Sequence, residues 1–339
     1  MKAFEIQNRF GLDSLTLVER ADPVPSPGQV LIKLRAASLN YRDLLMVKGQ
    51  YNPRQRLPLI PVSDGAGEVA AVGEGVTRVK AGDRVAGNFS QKWIAGEPSK
   101  AKLGSSLGGP LDGMLAEYNL LREEGVVHIP AHLSYEEAAT LPCAALTAWN
   151  SIIATGGMKA GDTLLVQGTG GVSIFALQLA KLAGAQVIVT SSSDEKLKRA
   201  RELGASHTIN YKTTPDWEKQ VREITGGVGV DHIVEVGGAG TFAKSLRAIR
   251  IGGHISLIGN LSGNVADVSL TSILMQNIRV QGLLVGNREM FEAMNRAIEL
   301  HQLRPVIDQT FEFERAVEAF TYMESGSHFG KICIRIGRK

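Results

Sequence analysis

The chain has 339 residues, long enough for two domains with cores of their own, and its 44% hydrophobic share is ordinary for a globular protein. Thirty-seven Lys and Arg against 34 Asp and Glu leave a formal charge of +3 with no basic block or stripe, so composition points neither to nucleic acid nor to an anionic membrane. The opening MKAFEIQNRF has no apolar core of signal-peptide length, no window approaches the roughly 18 unbroken apolar residues of a membrane helix, and Cys143 and Cys333 make no disulfide framework, so a cytoplasmic protein is expected.

Residues 1–128 read as mostly β. Val30, Ile32 and Leu34 alternate with Leu31, Lys33 and Arg35, and GEVAAVG and DRVAG, within 65–87, are short strands between Gly-rich turns. Such evenly punctuated strands suggest a small barrel-like domain. Between Asn88 and Gly113 the pattern lapses into a Gly-, Ser- and Lys-rich run, read either as a surface loop closing over a cleft or as an insertion without a role. Ser134, with Glu137 three residues on, forms a capping box for a helix to Ala139.

The next stretch, TLLVQGTGGVSIFALQLAKLAG at 163–184, is a buried strand to Gln167, a glycine turn, and a helix from Val172 closed by Gly184. Gly168, Gly170 and Gly171 let the backbone approach a pyrophosphate, and the helix start at Val172 aims N–H groups and a positive dipole end at it. Ser173 stands where Gly or Ala is usual. Strands 186–190 and 207–211 with helix 194–203 complete a β-α-β-α-β half at dinucleotide-binding spacing. Helices over 216–225, 241–249 and 272–276 and strands over 232–236, 254–259 and 278–285 complete a six-stranded doubly wound parallel sheet, with Gly237, Gly238, Gly259 and Asn260 on its ligand side or as ordinary turn residues. The fold class is α/β. The tail holds helices through Met294 and Ile298 and over 316–323 and a strand over 331–336, and is expected to return to the first domain, leaving a cleft between the two. The domains are read as 1–128 and 288–339 for the first, with 129–287 between.

With ASLNYRDLLMVKGQY at 37–51, SDGAGEVAAVGEGVTRVKAGDRV at 63–85, LPCAALTAW at 141–149, GTGGVS at 168–173 and ESGSHFGKICI at 324–334, nearly the whole chain resembles the medium-chain dehydrogenase/reductase superfamily, in its zinc-free, quinone oxidoreductase-like branch and with likeness to zinc-type alcohol dehydrogenase-like proteins. The resemblance implies a GroES-like β-barrel catalytic domain and a Rossmann domain. Zinc alcohol dehydrogenases carry Cys where Asn40 stands, His where Ser63 precedes Asp64, and a further Cys; only Cys143 is in register, so no metal is expected. Cys143 reads as a small buried residue. The resemblance also assigns Thr147 to the nicotinamide amide and puts His328 and Lys331 of HFGK near the cofactor.

No Asp or Glu ends the second strand of the glycine unit; Ser191, Ser192 and Ser193 follow Thr190 instead. A carboxylate about 4 Å from a 2′-phosphate would cost on the order of 4 kcal/mol at an effective dielectric near 20. Ser192, Lys196 and Tyr211 match the spacing of 2′-phosphate contacts in NADP-dependent relatives, although Gly326 replaces an Arg that several carry. NADP(H) is the expected cofactor and NAD(H) the alternative; Lys196 as a solvated residue and Tyr211 as a core residue is the other reading. Asn40 and Tyr51 match pocket positions, as donors to the substrate oxygen or as a turn residue and a packing aromatic, while Asp43 orients their loop and Arg42 pairs with it. The function so implied is hydride transfer from NADP(H) to a small conjugated carbonyl, an enone or quinone, without zinc. A zinc-free alcohol or aldehyde dehydrogenase and a non-catalytic NADPH-binding redox sensor are the alternatives. The apolar sixth strand, IRVQGLLVG, is expected to pair across a homodimer.

Overall fold

The computed structural model describes residues 1–337. The chain divides into two compact units, Met1–Leu146 with Val285–Lys339, and Thr147–Leu284. The first unit begins with β1 (Lys2–Ile6), β2 (Leu15–Glu19), β3 (Gln29–Leu39), β4 (Asp64–Val72), β5 (Arg84–Gly87), β6 (Tyr118–Arg122) and β7 (Val126–His128). The second holds β8 (Thr163–Gln167), β9 (Gln186–Ser191), β10 (His207–Asn210), β11 (Val230–Glu235), β12 (Ile249–Leu257) and β13 (Arg279–Gly282). The last segment returns β14 (Ile307–Glu312) and β15 (Lys331–Arg335) to the sheet of the first, whose order is β14-β15-β3-β4-β5-β7 with β6 also on β3.

β3 organises this GroES-like unit. Val30, Ile32 and Leu34 are buried, and Lys33 between them is exposed, as the alternation requires. Being 11 residues long, β3 pairs along one edge with β4 and divides the other between β6, at Gln29–Lys33, and β15, at Ala36–Leu39. The antiparallel register sets Ile332 opposite Leu39, so Lys331 arrives beside Asn40. Ile332 and Ile334 are fully buried, and each such side chain is worth about 1.5–3 kcal/mol; β15 is therefore held by packing as well as by its ladder.

The segment 88–113 is only in part the surface loop expected: residues 96–101 and 110–112 are exposed, but its flanks are anchored. Phe89, Trp93 and Leu107 are buried, and Ser99 caps a short helix, Lys100–Leu103. Its irregular backbone is satisfied by side chains: Asn88 Nδ2 donates to Ser90 O at 2.7 Å, Trp93 Nε1 to Gly96 O at 2.7 Å, and Lys102 Nζ to Ala95 O and Glu97 O at 2.8 and 2.7 Å. Those apolar residues recur with neither strand nor helix period, which is why the composition masked them.

The second unit is a parallel sheet of order β10-β9-β8-β11-β12-β13, a doubly wound Rossmann arrangement whose switch point lies between β8 and β11. Leu165, Ile188, Ile233 and Ile255 are buried on successive strands. Gly184, at φ +78°, follows the helix Gly171–Leu182 as the left-handed terminator its position demanded. The sixth strand is shorter than the apolar run suggested, β12 begins earlier at Ile249, and the helix before β13 spans Leu270–Met275.

The chain enters this unit at Thr147 rather than at 129. The intervening residues are tied into the first unit: Arg335 Nε donates to Glu136 Oε1 at 2.8 Å, and Cys143 N to Asp64 Oδ2 at 3.2 Å. Among the described residues no helix is long and apolar enough to cross a membrane.

Candidate active site

In the first unit the helix Tyr41–Val47 begins at Asn40, held by a local pattern: Asn40 N donates to Asp43 Oδ2 at 2.9 Å, and Asp43 N to Asn40 O at 2.9 Å. Asp43, fully buried, also accepts from Ser63 N at 3.1 Å, Ser63 Oγ at 3.4 Å and Arg42 Nη1 at 3.2 Å. It is an orienting residue, spending both oxygens on backbone and neighbours. Ser63 and Asp64 are delivered by Val62, a β-branched residue at φ +73°, a strained conformation held by buried surroundings.

The Asn40 side chain is engaged at both ends. Its Oδ1 accepts from Lys331 Nζ at 2.6 Å and its Nδ2 donates to Ser63 Oγ at 3.1 Å. Lys331 Nζ also donates to Leu39 O at 2.6 Å and stands 3.9 Å from Asp64 Oδ2. Asp64 is fully buried; burial, offset in part by Lys331 and Asn40, raises its carboxyl to about 7. Its Oδ1 has no hydrogen-bond partner among the described residues. Lys331, assigned to the cofactor by resemblance, thus has its ammonium directed to Asn40.

Arg42 does more than pair with Asp43. Its guanidinium donates to Leu107 O at 2.8 Å and Gly109 O at 3.1 Å and lies over the Tyr51 and Phe89 rings, 4.8 and 5.3 Å from their centroids. It therefore fastens the 88–113 segment to the end of the Asn40 helix, and Tyr51, with an exposed ring, packs on it. The sequence offered no signal for this role beyond a charged residue next to Asp43.

These residues do not fit a zinc centre. At the three positions used by zinc relatives stand an amide, a hydroxyl and the Cys143 thiol, whose pKa burial and the Asp64 carboxylate push well up, and the Lys331 ammonium touches the amide. No group of three or more His, Cys, Asp or Glu able to hold a metal occurs among the described residues.

The second unit fits a dinucleotide. Gly170 caps the 12-residue helix Gly171–Leu182 without any side-chain cap, so the N–H groups of its first turn, at Gly171 and Val172, await an acceptor. A Cβ built on Gly168, at φ +71°, or on Gly170 would meet nothing within 4 Å, which leaves open the space a pyrophosphate needs. Ser173 turns its Oγ back to Gln167 O at 2.7 Å, so a serine satisfies the position where Gly or Ala is usual. Ser192 follows β9, Lys196 lies in the first turn of the helix Asp194–Glu202, and the β9–β10 register brings Tyr211, with an exposed ring, to the same sheet end. Thr147 is buried and its carbonyl accepts from Ser151 Oγ at 2.7 Å.

Glu235 escaped the sequence reading. Fully buried at the end of β11, it accepts on Oε1 from Gly237 N at 2.9 Å, Gly238 N at 3.0 Å and Thr241 Oγ1 at 2.5 Å, and on Oε2 from Gln167 Nε2 at 2.7 Å and from Ser245 Oγ. It fixes the turn carrying Gly237, where a Cβ would lie 2.2 Å from Thr241 Oγ1; at Gly259 one would lie 2.7 Å from Val236 O. Exposed Asn260 follows. The available signal was a carboxylate inside the apolar run HIVEV.

An alcohol dehydrogenase GroES-like domain model matches residues 26–131 and a zinc-binding dehydrogenase model matches residues 171–299. A zinc-type alcohol dehydrogenase-like protein of Schizosaccharomyces pombe is 46% identical over 333 residues, covering 96% of each chain. A 2-methylene-furan-3-one reductase of Solanum lycopersicum is 32% identical over 340 residues, covering 98% of this chain and 79% of its own. Among solved structures, a putative alcohol dehydrogenase of Sinorhizobium meliloti superimposes with a TM-score of 0.91 at 39% identity, covering 99% of this chain and 98% of its own. An NAD-dependent alcohol dehydrogenase does so with a TM-score of 0.91 at 35% identity, covering 99% and 100%. An unhindered glycine turn on a doubly wound sheet, a GroES-like partner unit and relatives aligned along almost the whole chain make this protein a member of the medium-chain dehydrogenase/reductase superfamily and an NAD(P)-dependent oxidoreductase.

Proposed function

We propose that the protein is a zinc-independent, NADP(H)-preferring reductase of conjugated carbonyls, enones or quinones. The observation carrying this reading is the Asn40–Ser63–Lys331 cluster, which offers hydrogen-bond donors and a fixed cation where a zinc enzyme needs thiolate or imidazole. A saturated alcohol must lose a proton as it loses hydride, and zinc is the usual means of making that proton acidic. An enone instead receives hydride at its β-carbon while charge moves to the carbonyl oxygen, where a donor suffices. The tomato relative, named for reduction of a methylene-furanone, is consistent with such an acceptor.

When bound, the nicotinamide supplies the hydride. The chain contributes the rest. Backbone N–H groups at Gly170, Gly171 and Val172 hold the pyrophosphate, and Ser192, Lys196 and Tyr211 hold the 2′-phosphate. Asn40 Nδ2 donates to the acceptor oxygen, and the Tyr51 hydroxyl supplies the proton that completes reduction. The two cysteines, not joined by a disulfide, and the charge balance suit a cytoplasmic protein, and a second copy is its proposed partner.

The test follows NADPH and NADH consumption against an ortho-quinone, an aliphatic enone and a saturated aldehyde, before and after dialysis against a chelator. Turnover of the quinone or enone with NADPH, unchanged by the chelator, is expected. Turnover of the aldehyde that disappears on chelation would replace this reading with a metal-dependent alcohol dehydrogenase, and tight NADPH binding without turnover would leave a sensor.

A further inference from the structure

We propose that Lys331 is a positioning residue for the acceptor, acting through Asn40: its ammonium fixes which end of the Asn40 amide is presented and strengthens that amide as a donor. The inference rests on the reading of Asn40 as the donor to the acceptor oxygen.

Lys331 is 3% exposed, and a lysine so buried needs a reason, because an ammonium withdrawn from water is costly unless well partnered. Its close contacts are two neutral carbonyl oxygens, Leu39 O and Asn40 Oδ1, both at 2.6 Å. The carboxylate within reach, Asp64 Oδ2, lies 3.9 Å away and already accepts from Cys143 N at 3.2 Å. Simple charge neutralisation would bring ammonium and carboxylate together; here the short contact is made to the amide.

That contact has two chemical consequences. A primary amide can be reversed end for end, but an ammonium at one end admits only the oxygen, so Nδ2 must point away from Lys331. Ser63 Oγ, at 3.1 Å, takes one Nδ2 hydrogen; the amide also hydrogen-bonds to the Asp64 carboxyl, whose place an acceptor oxygen would take. The Lys331 ammonium donating to Oδ1 also draws density from the amide nitrogen, making its N–H a better donor as charge grows on the acceptor oxygen. A neutral side chain at 331 would leave the amide unpolarised and free to reverse.

The geometry arises from chain topology. β15 returns from the far end of the chain and its register with β3 sets Lys331 beside the helix cap. Asn40 is fixed by its own helix and Lys331 by another strand, so neither has to move.

The experiment compares the unsubstituted protein with Lys331→Met, Asn40→Ala and the double variant, measuring kcat and KM for the acceptor turned over, NADPH Kd by fluorescence, and Tm. Removing a donor to a developing oxyanion costs about 10²–10³ in kcat. Lys331→Met is expected to lower kcat by roughly 10–100-fold, with acceptor KM and NADPH Kd within about twofold, and the double variant to be no slower than Asn40→Ala, because both changes remove one device. Should Lys331→Met be too unstable to assay, Lys331→Arg serves: the cation is kept but its planar fork cannot repeat both contacts, so kcat falls with Kd unchanged. Multiplying losses in the double variant, or unaltered kcat in Lys331→Met while Asn40→Ala is slow, would overturn the inference. So would a tenfold weaker NADPH Kd, which would make Lys331 a cofactor ligand. Full activity in Asn40→Ala would instead remove the reading beneath it.

Discussion

Asn40 and Asp43 show how a site residue becomes readable from a contiguous stretch. Their mutual hydrogen bonds span three positions, the offset at which a helix cap and its partner meet, so the pattern N-x-x-D announces its own geometry. Lys331 carries no such mark, because its partner Asn40 is 291 residues away and its neighbours in sequence are an ordinary strand. Lys196 lies between these cases. Its place in the first turn, three residues after the capping Ser193, is local, whereas its placement at the same sheet end as Tyr211 depends on strand pairing. Lys196→Ala is expected to weaken NADPH binding at least tenfold while NADH binding stays within about twofold, since a charge-assisted bond to the 2′-phosphate is lost in one case only. Titrations with both nucleotides check this; equal losses would assign Lys196 to another role.

Elements with a clear period were legible, and those without one were not. The strands of the second unit are short apolar runs between glycines and appear nearly where the runs lie. The 88–113 segment misled because its large apolar residues follow no period and its polar groups are satisfied by side chains rather than by a ladder. Central strands also hide ionisable groups. His254 on β12 is 3% exposed; burial first, then Arg279 on β13 and His232 on β11, lower its pKa to about 4. Its Nε2 is 3.1 Å from Ser256 Oγ, and His232 Nε2 is 2.9 Å from Asp162 Oδ2. The folded state keeps His254 neutral while the unfolded chain gains its proton near the usual 6.5, so stability is lost as pH falls from about 6.5 to about 4. The loss attributable to this group is up to roughly 3 kcal/mol. Denaturation of wild type and His254→Gln at pH 7 and pH 5 should show the variant losing less, and equal losses would mean that other groups dominate.

For the molecule as a whole, β13 is an outermost strand of its sheet, and one of its ladder edges is unpaired among the described residues. Val280 on it is 37% exposed, and Leu270, Leu274 and Met275 of the preceding helix are each more than 70% exposed. An open, exposed sheet edge carrying Val280 and flanked by an apolar helix face is a liability for a lone subunit, and pairing with the same edge of a second copy would cover both at once. Light scattering after gel filtration is expected to give twice 36.4 kDa, and Val280→Lys to shift the protein toward monomer. A wild-type monomer at micromolar concentration would refute the homodimer.

What the residues determine by themselves is whatever nearest neighbours along the chain decide: the strand–glycine–helix device, the capping box at Ser134, and the missing carboxylate after β9. Glycine conformations, helix caps and alternating burial act over fewer than ten residues, so spacing is sufficient to read them. Tertiary structure alone decides which distant groups share one polar environment. β3 joins β15 to β4, and only that pairing lets a lysine from the end of the chain settle on an asparagine near its beginning. The same holds for Arg42 on the carbonyls of Leu107 and Gly109, and for Glu235 with Gln167. Each is a hydrogen bond between residues tens to hundreds of positions apart, created when buried polar groups must find partners in a folded interior, a requirement that leaves no periodic trace in sequence.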